Sequence, residues 1–316
     1  MESYPLVSVI IPVYNAASFI HPCLESVFAQ SYPNVEVLVV DDGSSDESVK
    51  IVRGFEVQLL EQSNRGACAA RNLGIRKASG EYIQFLDADD LLSPEKIQVQ
   101  VDRLLKQRNA VANGRWGRFY SEDPWSESIQ WGPDPSLQLD LPPVDWLIRN
   151  HMSQTACWLV PSSLVEKAGA WDETLSINQD GEFFSRVVAG AEEVLYTPEA
   201  KAYYRSKVSG SISSTLSQVK SIESLFKTCE SYEHVLLELE DSGRTHRAIA
   251  DKYQYFIFRT FPRHSVLTKR AEHKIRLFGG SGIKPYRRGL LFNLFQKLFG
   301  WKTMARLDLI RRKIYG

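Results

Sequence analysis

Three short apolar runs punctuate the first third of the chain, Val7–Val13, Val35–Val40 and Tyr82–Leu86, all rich in β-branched residues. Each reads as a buried strand, because a parallel sheet covered on both faces gives near-continuous apolar runs instead of an alternating pattern. Helical signals lie between them. Ser44 with Glu47 is a capping-box pattern ahead of Val49, Ile51 and Val52. The segment Asn64–Gly74 is small and basic, and it opens a helix that Gly80 ends. Ser93-Pro94-Glu95 starts another, with Pro94 at the first helical position, running to about Gln107. Strands alternating with helices through about residue 110 predict right-handed βαβ units and an α/β fold.

The rhythm then changes. Residues 112–145 carry Trp116, Trp125, Trp131 and several prolines without a regular period, and read as an irregular, acceptor-side loop region or a plain connection. Phe183, Phe184, Val187 and Val188 form the apolar stripe of a helix with Asp180 in its first turn. Beyond Ser217, Leu225, Cys229, Tyr232, Leu236 and Leu239 recur every three or four residues, so a helical region is expected after a boundary near 215.

Polar residues gather where the apolar runs stop. Asp87, Asp89 and Asp90 follow the third run directly, and a buried strand cannot hold that much charge. In an open parallel sheet the carboxyl ends of the strands form the ligand crevice. The D-x-D spacing lets two carboxylates reach one hard cation, Mg²⁺ or Mn²⁺; acids that merely favour a helix N-terminus are the structural alternative. The first run is halted by Pro12 and followed by Tyr14 and Asn15, and an aromatic beside a crevice offers flat apolar area to a base. The second ends in Asp41 and Asp42. Arg65 and Arg71 flank a helix N-terminus, where N–H groups and cations suit a diphosphate, and one of the two is expected to serve.

Bulk properties narrow the class. The 316 residues suffice for one large domain and an appendage. Cys23, Cys68, Cys157 and Cys229 lack C-x-x-C spacing and read as reduced packing residues of a cytosolic protein. The Val7–Val13 run is too short for a signal peptide, and no stretch reaches the roughly 20 apolar residues of a membrane span. A net charge of zero hides an asymmetry: from Arg259 onward 15 Lys/Arg face two acids, a net +13 balanced by −13 in the remainder.

Together, Pro12-Val13-Tyr14-Asn15, Asp41-Asp42-Gly43-Ser44 with Asp46, Asn64–Gly74 containing Ala69-Ala70-Arg71-Asn72, and Phe85-Leu86-Asp87-Ala88-Asp89-Asp90 resemble the ordered motifs of glycosyltransferase family 2. The resemblance covers about residues 5–215. It implies a GT-A fold, an α/β nucleotide-diphospho-sugar transferase architecture with a mixed, mostly parallel sheet flanked by helices. A catalytic domain over 1–215 is expected, its nucleotide-sugar half about 1–110 and its acceptor half about 111–215. A helical, basic and amphipathic C-terminal region would fill 216–316. The implied reaction is inverting transfer of a sugar from a nucleoside diphosphate sugar, UDP most commonly, to an acceptor hydroxyl in polysaccharide or glycolipid synthesis. Pro12, Tyr14, Asn15, Asp42, Arg65, Arg71, Asp87 and Ala88 would bind the donor, and Asp89 would ligate Mn²⁺ or Mg²⁺. Asp180 would be the general base; the family usually shows Glu-Asp here, whereas this chain has Gln179-Asp180. Glu182 is the alternative base. Lys207 stands where a histidine is common.

Two other classes share some of these features. A nucleotidyltransferase would want a Gly/Arg/Lys-rich phosphate loop where Pro12–Ala17 stands, and an inactive nucleotide-sugar or carbohydrate-binding module would not need intact Asp89 and Asp180. In the basic tail Leu290, Leu291, Leu294, Phe295, Leu298 and Phe299 fall on one helical face, flanked by Arg287, Arg288, Lys302 and Arg306. Such a helix suits an anionic membrane surface and a saccharide or lipid-linked acceptor, with a cytoplasmic protein held peripherally at the inner face of the plasma membrane. Packing on residues 217–260 or on a second subunit is the other use of that face. Nucleic acid is not expected, since no recognition motif accompanies the charge.

Overall fold

The structure, a computed structural model, describes residues 4–120, 129–132, 139–149, 153–206, 218–284 and 300–307. The calls on Lys207, Arg287, Arg288 and the 290–299 face lie outside these residues. The described chain divides into two compact units, Met1–Thr174 with Gln179–Ser211, and Leu175–Asn178 with Ile212–Gly316.

The first unit is built on the three apolar runs. They form β1 (Val7–Val13), β2 (Val35–Asp41) and β4 (Tyr82–Phe85), and their central residues are almost wholly buried. β3 (Gln58–Glu61) lies at the edge beyond β2, giving a parallel β3-β2-β1-β4 half. The helices α1 (Ile20–Phe28), α2 (Ser48–Val52), α3 (Ala67–Lys77) and α4 (Lys96–Leu104) alternate with these strands. Past β4 the sheet continues as β8 (Trp158–Pro161), β6 (Ala110–Phe119), β9 (Glu193–Arg205) and β5 (Leu91–Leu92), with β7 (Gln130–Trp131) paired to β6. β4–β8 and β8–β6 are antiparallel, so the sheet reverses direction at β4. Parallel pairing still dominates by length, because β6 and β9 pair over ten residues, with one register shift, while each antiparallel contact spans two. Helices α5 (Pro143–Arg149), α6 (Ser162–Ala168) and α7 (Gln179–Gly190) complete the unit.

Two local expectations are corrected. Ser44 and Glu47 form no capping box: the Ser44 hydroxyl instead accepts the Asn15 N–H at 3.0 Å, and α2 starts at Ser48. The start of the supposed irregular region at 112–145 is strand β6. Its glycines conceal the alternation, since they sit where another chain segment passes close by. A Cβ on Gly114 would lie 2.3 Å from the Ala200 carbonyl oxygen, and the register shifts between Gly114 and Arg115.

The second unit contains α8 (Val219–Leu239), α9 (Gly243–Thr260) and α10 (Ser265–Leu277). The predicted stripe of α8 buries Leu225, Cys229, Tyr232 and Leu236, and Phe226 meets Tyr253 and Phe256 of α9. A capping box does occur here, between Ser242 and Thr245 at the start of α9. Trp301 packs on Phe258 and Phe261, and Lys302 pairs with Glu272 at 2.5 Å. Among the described residues no helix is long and apolar enough to cross a membrane.

Candidate active site

Because β2, β1 and β4 are adjacent and parallel, their carboxyl ends open onto one edge, and the residues that follow them are brought together there. After β1 the chain turns through Tyr14, 53% exposed, and Asn15, held at φ 49°. Asparagine tolerates that left-handed backbone better than most residues. Its Oδ1 accepts the Ser45 N–H at 2.8 Å, while the N–H groups of Ala16 and Ala17 donate to Ser48 Oγ at 2.8 Å and Asp46 Oδ2 at 3.0 Å. The loops after β1 and β2 are thus stitched to each other, with Pro12 just before them.

The adjoining acids after β2 divide their work. Asp41 closes its own turn by accepting the N–H groups of Gly43 and Ser44, each at 3.1 Å. Asp42, 3% exposed, receives Arg65 N–H and Gly66 N–H at 2.7 Å each and the Gln62 amide at 2.8 Å. Asp42 thus satisfies two backbone N–H groups of the loop that leads into α3. With three bonds accepted, the carboxylate has little capacity left for a ligand. The Arg65 side chain reaches outward and pairs with Glu173 at 3.0 Å.

Arg71 behaves differently. It is 6% exposed and donates from Nη2 to Asp87 Oδ1 at 2.6 Å and from Nη1 to Gln179 Oε1 at 3.3 Å. Its guanidinium lies 4.5 Å from the centre of the Trp171 ring, and its Nε is buried without a hydrogen-bond partner. Asn72, next in the chain, brackets Trp171, accepting its N–H at 2.8 Å and donating to its carbonyl at 3.0 Å. Trp171 in turn stacks on Phe183 of α7 with centroids 4.1 Å apart and planes 9° from parallel.

The acids after β4 are unequal. Asp87 and Asp89 are partly exposed, Ala88 between them is buried, and Asp90 is 1% exposed. Asp90 does not cap α4; its Oδ1 accepts the Arg205 N–H of β9 at 2.9 Å, while Arg205 Nε donates to the Asp89 carbonyl at 3.1 Å. Burial first, and the charge of Asp87 second, push the Asp89 carboxyl up to about 6. Burial and then the charges of Asp89 and Asp87 raise Asp90 well above the usual carboxylate range. Crowded, partly desolvated carboxylates of this kind are costly without a cation.

Among the described residues no three His, Cys, Asp or Glu side chains converge as a metal cage. That fits a cation shared with a nucleotide, since Mg²⁺ is ordinarily held by one or two carboxylates plus substrate phosphates. Asp89, partly exposed and crowded by the charge of Asp87, is a carboxylate whose repulsion a cation would relieve.

Asp180 opens α7 and is partly buried. Burial raises its carboxyl; the Gly181 N–H pulls it down, Asp87 pushes it up, and Arg71 pulls it down again. The acid after β4, the base candidate and Arg71 are therefore within one electrostatic neighbourhood. Glu182 is 7% exposed and held by Arg186 through bonds of 2.8 Å from both Nε and Nη2, so the alternative base is committed to an ion pair. Asn72 and Arg205, the latter two residues before Lys207, lay in stretches that resemble the family's motifs, but the sequence announced the partners of neither, and it gave no sign of Trp171.

The model of glycosyl transferase family 2 matches residues 8–167. An uncharacterised glycosyltransferase of Rickettsia typhi, RT0329, is 30% identical over 260 residues, 80% of either chain. Several other relatives match over less than half of their own length. Among solved structures, Staphylococcus aureus TarS 1–349 in complex with UDP-GlcNAc superposes with a TM-score of 0.63 at 17% identity, covering 85% of this chain and 88% of that one. The mannosyltransferase PcManGT of Pyrobaculum calidifontis, in complex with GDP-Man and Mn²⁺, gives 0.58 at 18% identity over 90% and 78%. These likenesses show a shared GT-A fold. With the family model spanning half its length and its sheet edge carrying the family's motifs, the chain belongs to glycosyltransferase family 2.

Proposed function

We propose that this glycosyltransferase moves a sugar from a nucleoside diphosphate sugar to an acceptor hydroxyl with inversion at the anomeric carbon. The observation that carries the proposal is the Asp180 carboxyl, raised by burial at the first turn of α7, in the same electrostatic neighbourhood as Asp87 and Arg71. A raised carboxylate is a better proton acceptor, which suits a general base toward a hydroxyl. Tyr14 supplies an exposed face for the base, Pro12, Asn15 and Ala88 shape the crevice, and Asp42 acts there through its last free acceptor site. Arg65 is the cation free to move to the diphosphate, because an exposed ion pair like the one with Glu173 is worth little.

Asp89 would hold Mn²⁺ or Mg²⁺, which when bound neutralises charge on the departing diphosphate. UDP-linked sugars are the first donors to try. TarS and PcManGT, crystallised with UDP-GlcNAc and GDP-Man, make those two the opening pair of a panel. A saccharide or lipid-linked acceptor at an anionic membrane surface, met through the basic residues of 259–316 on the cytoplasmic side, is the setting we propose. The test is transfer and donor hydrolysis across the panel with Mn²⁺, for wild type and Asp180→Asn. A stereochemically inverted product from wild type, and its loss in the variant with nucleotide binding kept, is expected. Binding without turnover by the wild type would leave a carbohydrate-binding module instead.

A further inference from the structure

We propose that Arg71 is a positioning residue that joins the acid after β4 to the helix carrying the base, and that it does not touch the donor. The inference rests on Asp180 being that base. One guanidinium makes both connections, to Asp87 at 2.6 Å and to Gln179, the residue before Asp180, at 3.3 Å. Its third face is closed by Trp171 at 4.5 Å, and Trp171 is itself fixed by Asn72 on one side and by Phe183 of α7 on the other. No direction is left open toward a diphosphate: the side chain is 6% exposed, and its Nε is buried and unpartnered.

The requirement is specific to arginine. Only a planar fork bonds two acceptors in different directions while lying flat on an indole, and a lysine ammonium would hold one acceptor and leave the ring. Electrostatics points the same way. Asp87 raises the Asp180 carboxyl and Arg71 lowers it, so the guanidinium separates two acids that would repel. Gln179 gives this link its form in this chain. Its Oε1 accepts from Nη1, while Nη2 makes the ion pair with Asp87. The link sets the distance between the donor side and the acceptor side of the reaction, and displacing a reacting group by about 1 Å costs about 10²-fold in rate.

The experiment measures kcat and KM with UDP-N-acetylglucosamine, or with GDP-mannose if that is the donor turned over, alongside calorimetry of UDP or GDP binding with Mn²⁺. Arg71→Lys should lower kcat about 10²-fold. Gln179→Leu, losing one hydrogen bond, should lower it about tenfold. Both should leave donor KM and nucleotide Kd near wild type, and Gln179→Glu, which keeps an acceptor for Nη1, should restore kcat. If Arg71→Lys fails to fold, the Gln179 pair decides alone. A rise in donor KM with kcat kept would make Arg71 a donor ligand, and unchanged kcat and KM in both variants would remove the link; either overturns the proposal. Asp180→Asn is run beside them: a full rate there brings down the base assignment itself, whereas a loss there with no loss in the Arg71 and Gln179 variants brings down only this inference.

Discussion

Lys96 offers a sharp physical test of the first unit. It is fully buried in the first turn of α4, and its ammonium donates to Gln84 Oε1 of β4 and to the Trp158 carbonyl of β8 at 3.2 Å. Among the described residues no carboxylate pairs with it, and burial pulls its pKa from 10.5 down to about 7, with Cys157 pulling the other way. A drop of that size corresponds to about 5 kcal/mol spent on keeping the charge below neutral pH. The sign follows from proton counting. Between pH 7 and 10.5 the unfolded chain keeps the proton that the folded one has released, so stability rises with pH at up to about 1.4 kcal/mol per unit. The group contributes no slope below or above that window.

Lys96→Met removes the titration and keeps the stem volume, though it leaves two carbonyl-type acceptors without a donor at about 1–3 kcal/mol each. Its absolute stability at pH 7 is thus a balance, but its slope is not. Urea unfolding followed by tryptophan fluorescence at pH 7.5 and 9.0 is the assay, since Trp301 is the one tryptophan of seven outside the first unit. Wild type should gain about 2 kcal/mol on the variant across that interval. The four buried thiols are present in both proteins, so their own titration cancels in the difference. Parallel curves would refute a neutral buried lysine.

Other perturbations address the site and its frame. Asp180→Asn should lower kcat by about 10²–10⁴-fold with donor KM unchanged, measured by steady-state kinetics. Asp89→Ala should abolish turnover and remove any rise in Tm that Mn²⁺ gives in the presence of UDP. Trp171→Ala removes a 1% exposed ring that contacts Phe85, Phe183 and Phe184, and should cost about 3–5 kcal/mol in denaturant unfolding. Gly114→Ala drives a Cβ against the Ala200 carbonyl and should cost about 1–3 kcal/mol in the same measurement.

What the sequence disclosed depended on whether a residue's environment was local. β1, β2 and β4 were legible because strands buried on both faces leave continuous apolar runs. β3 was not, since an edge strand of four residues with both ends exposed has no such run. β6 was hidden by Gly114 and Gly117, whose purpose is set by Ala200 and Ile129 far along the chain. Within the site, the acids after β4 and the residues after β1 stood out as charge and aromaticity stranded beyond apolar runs. The partnerships did not: Arg71 with Gln179, and Asn72 with Trp171, join residues about a hundred positions apart. Lys96 was invisible for a different reason, because a lysine after Ser-Pro-Glu reads as the wet first turn of a helix.

The stitching between the loops after β1 and β2 bears on how quickly and at what thermodynamic cost a nucleotide is captured. Asn15, Ala16 and Ala17 have their N–H groups committed to Ser44, Ser48 and Asp46 before anything arrives. A backbone already fixed has no further conformational entropy to surrender on association, so less of the contact energy is lost to ordering. Capture at Tyr14 should then follow simple bimolecular kinetics, with a rate linear in nucleotide concentration and no saturating conformational step. Ser48→Ala, which removes the hydroxyl that holds Ala16, should convert a rigid receptor into one that must fold around its ligand. Its signature would be a more unfavourable binding entropy at nearly unchanged contacts.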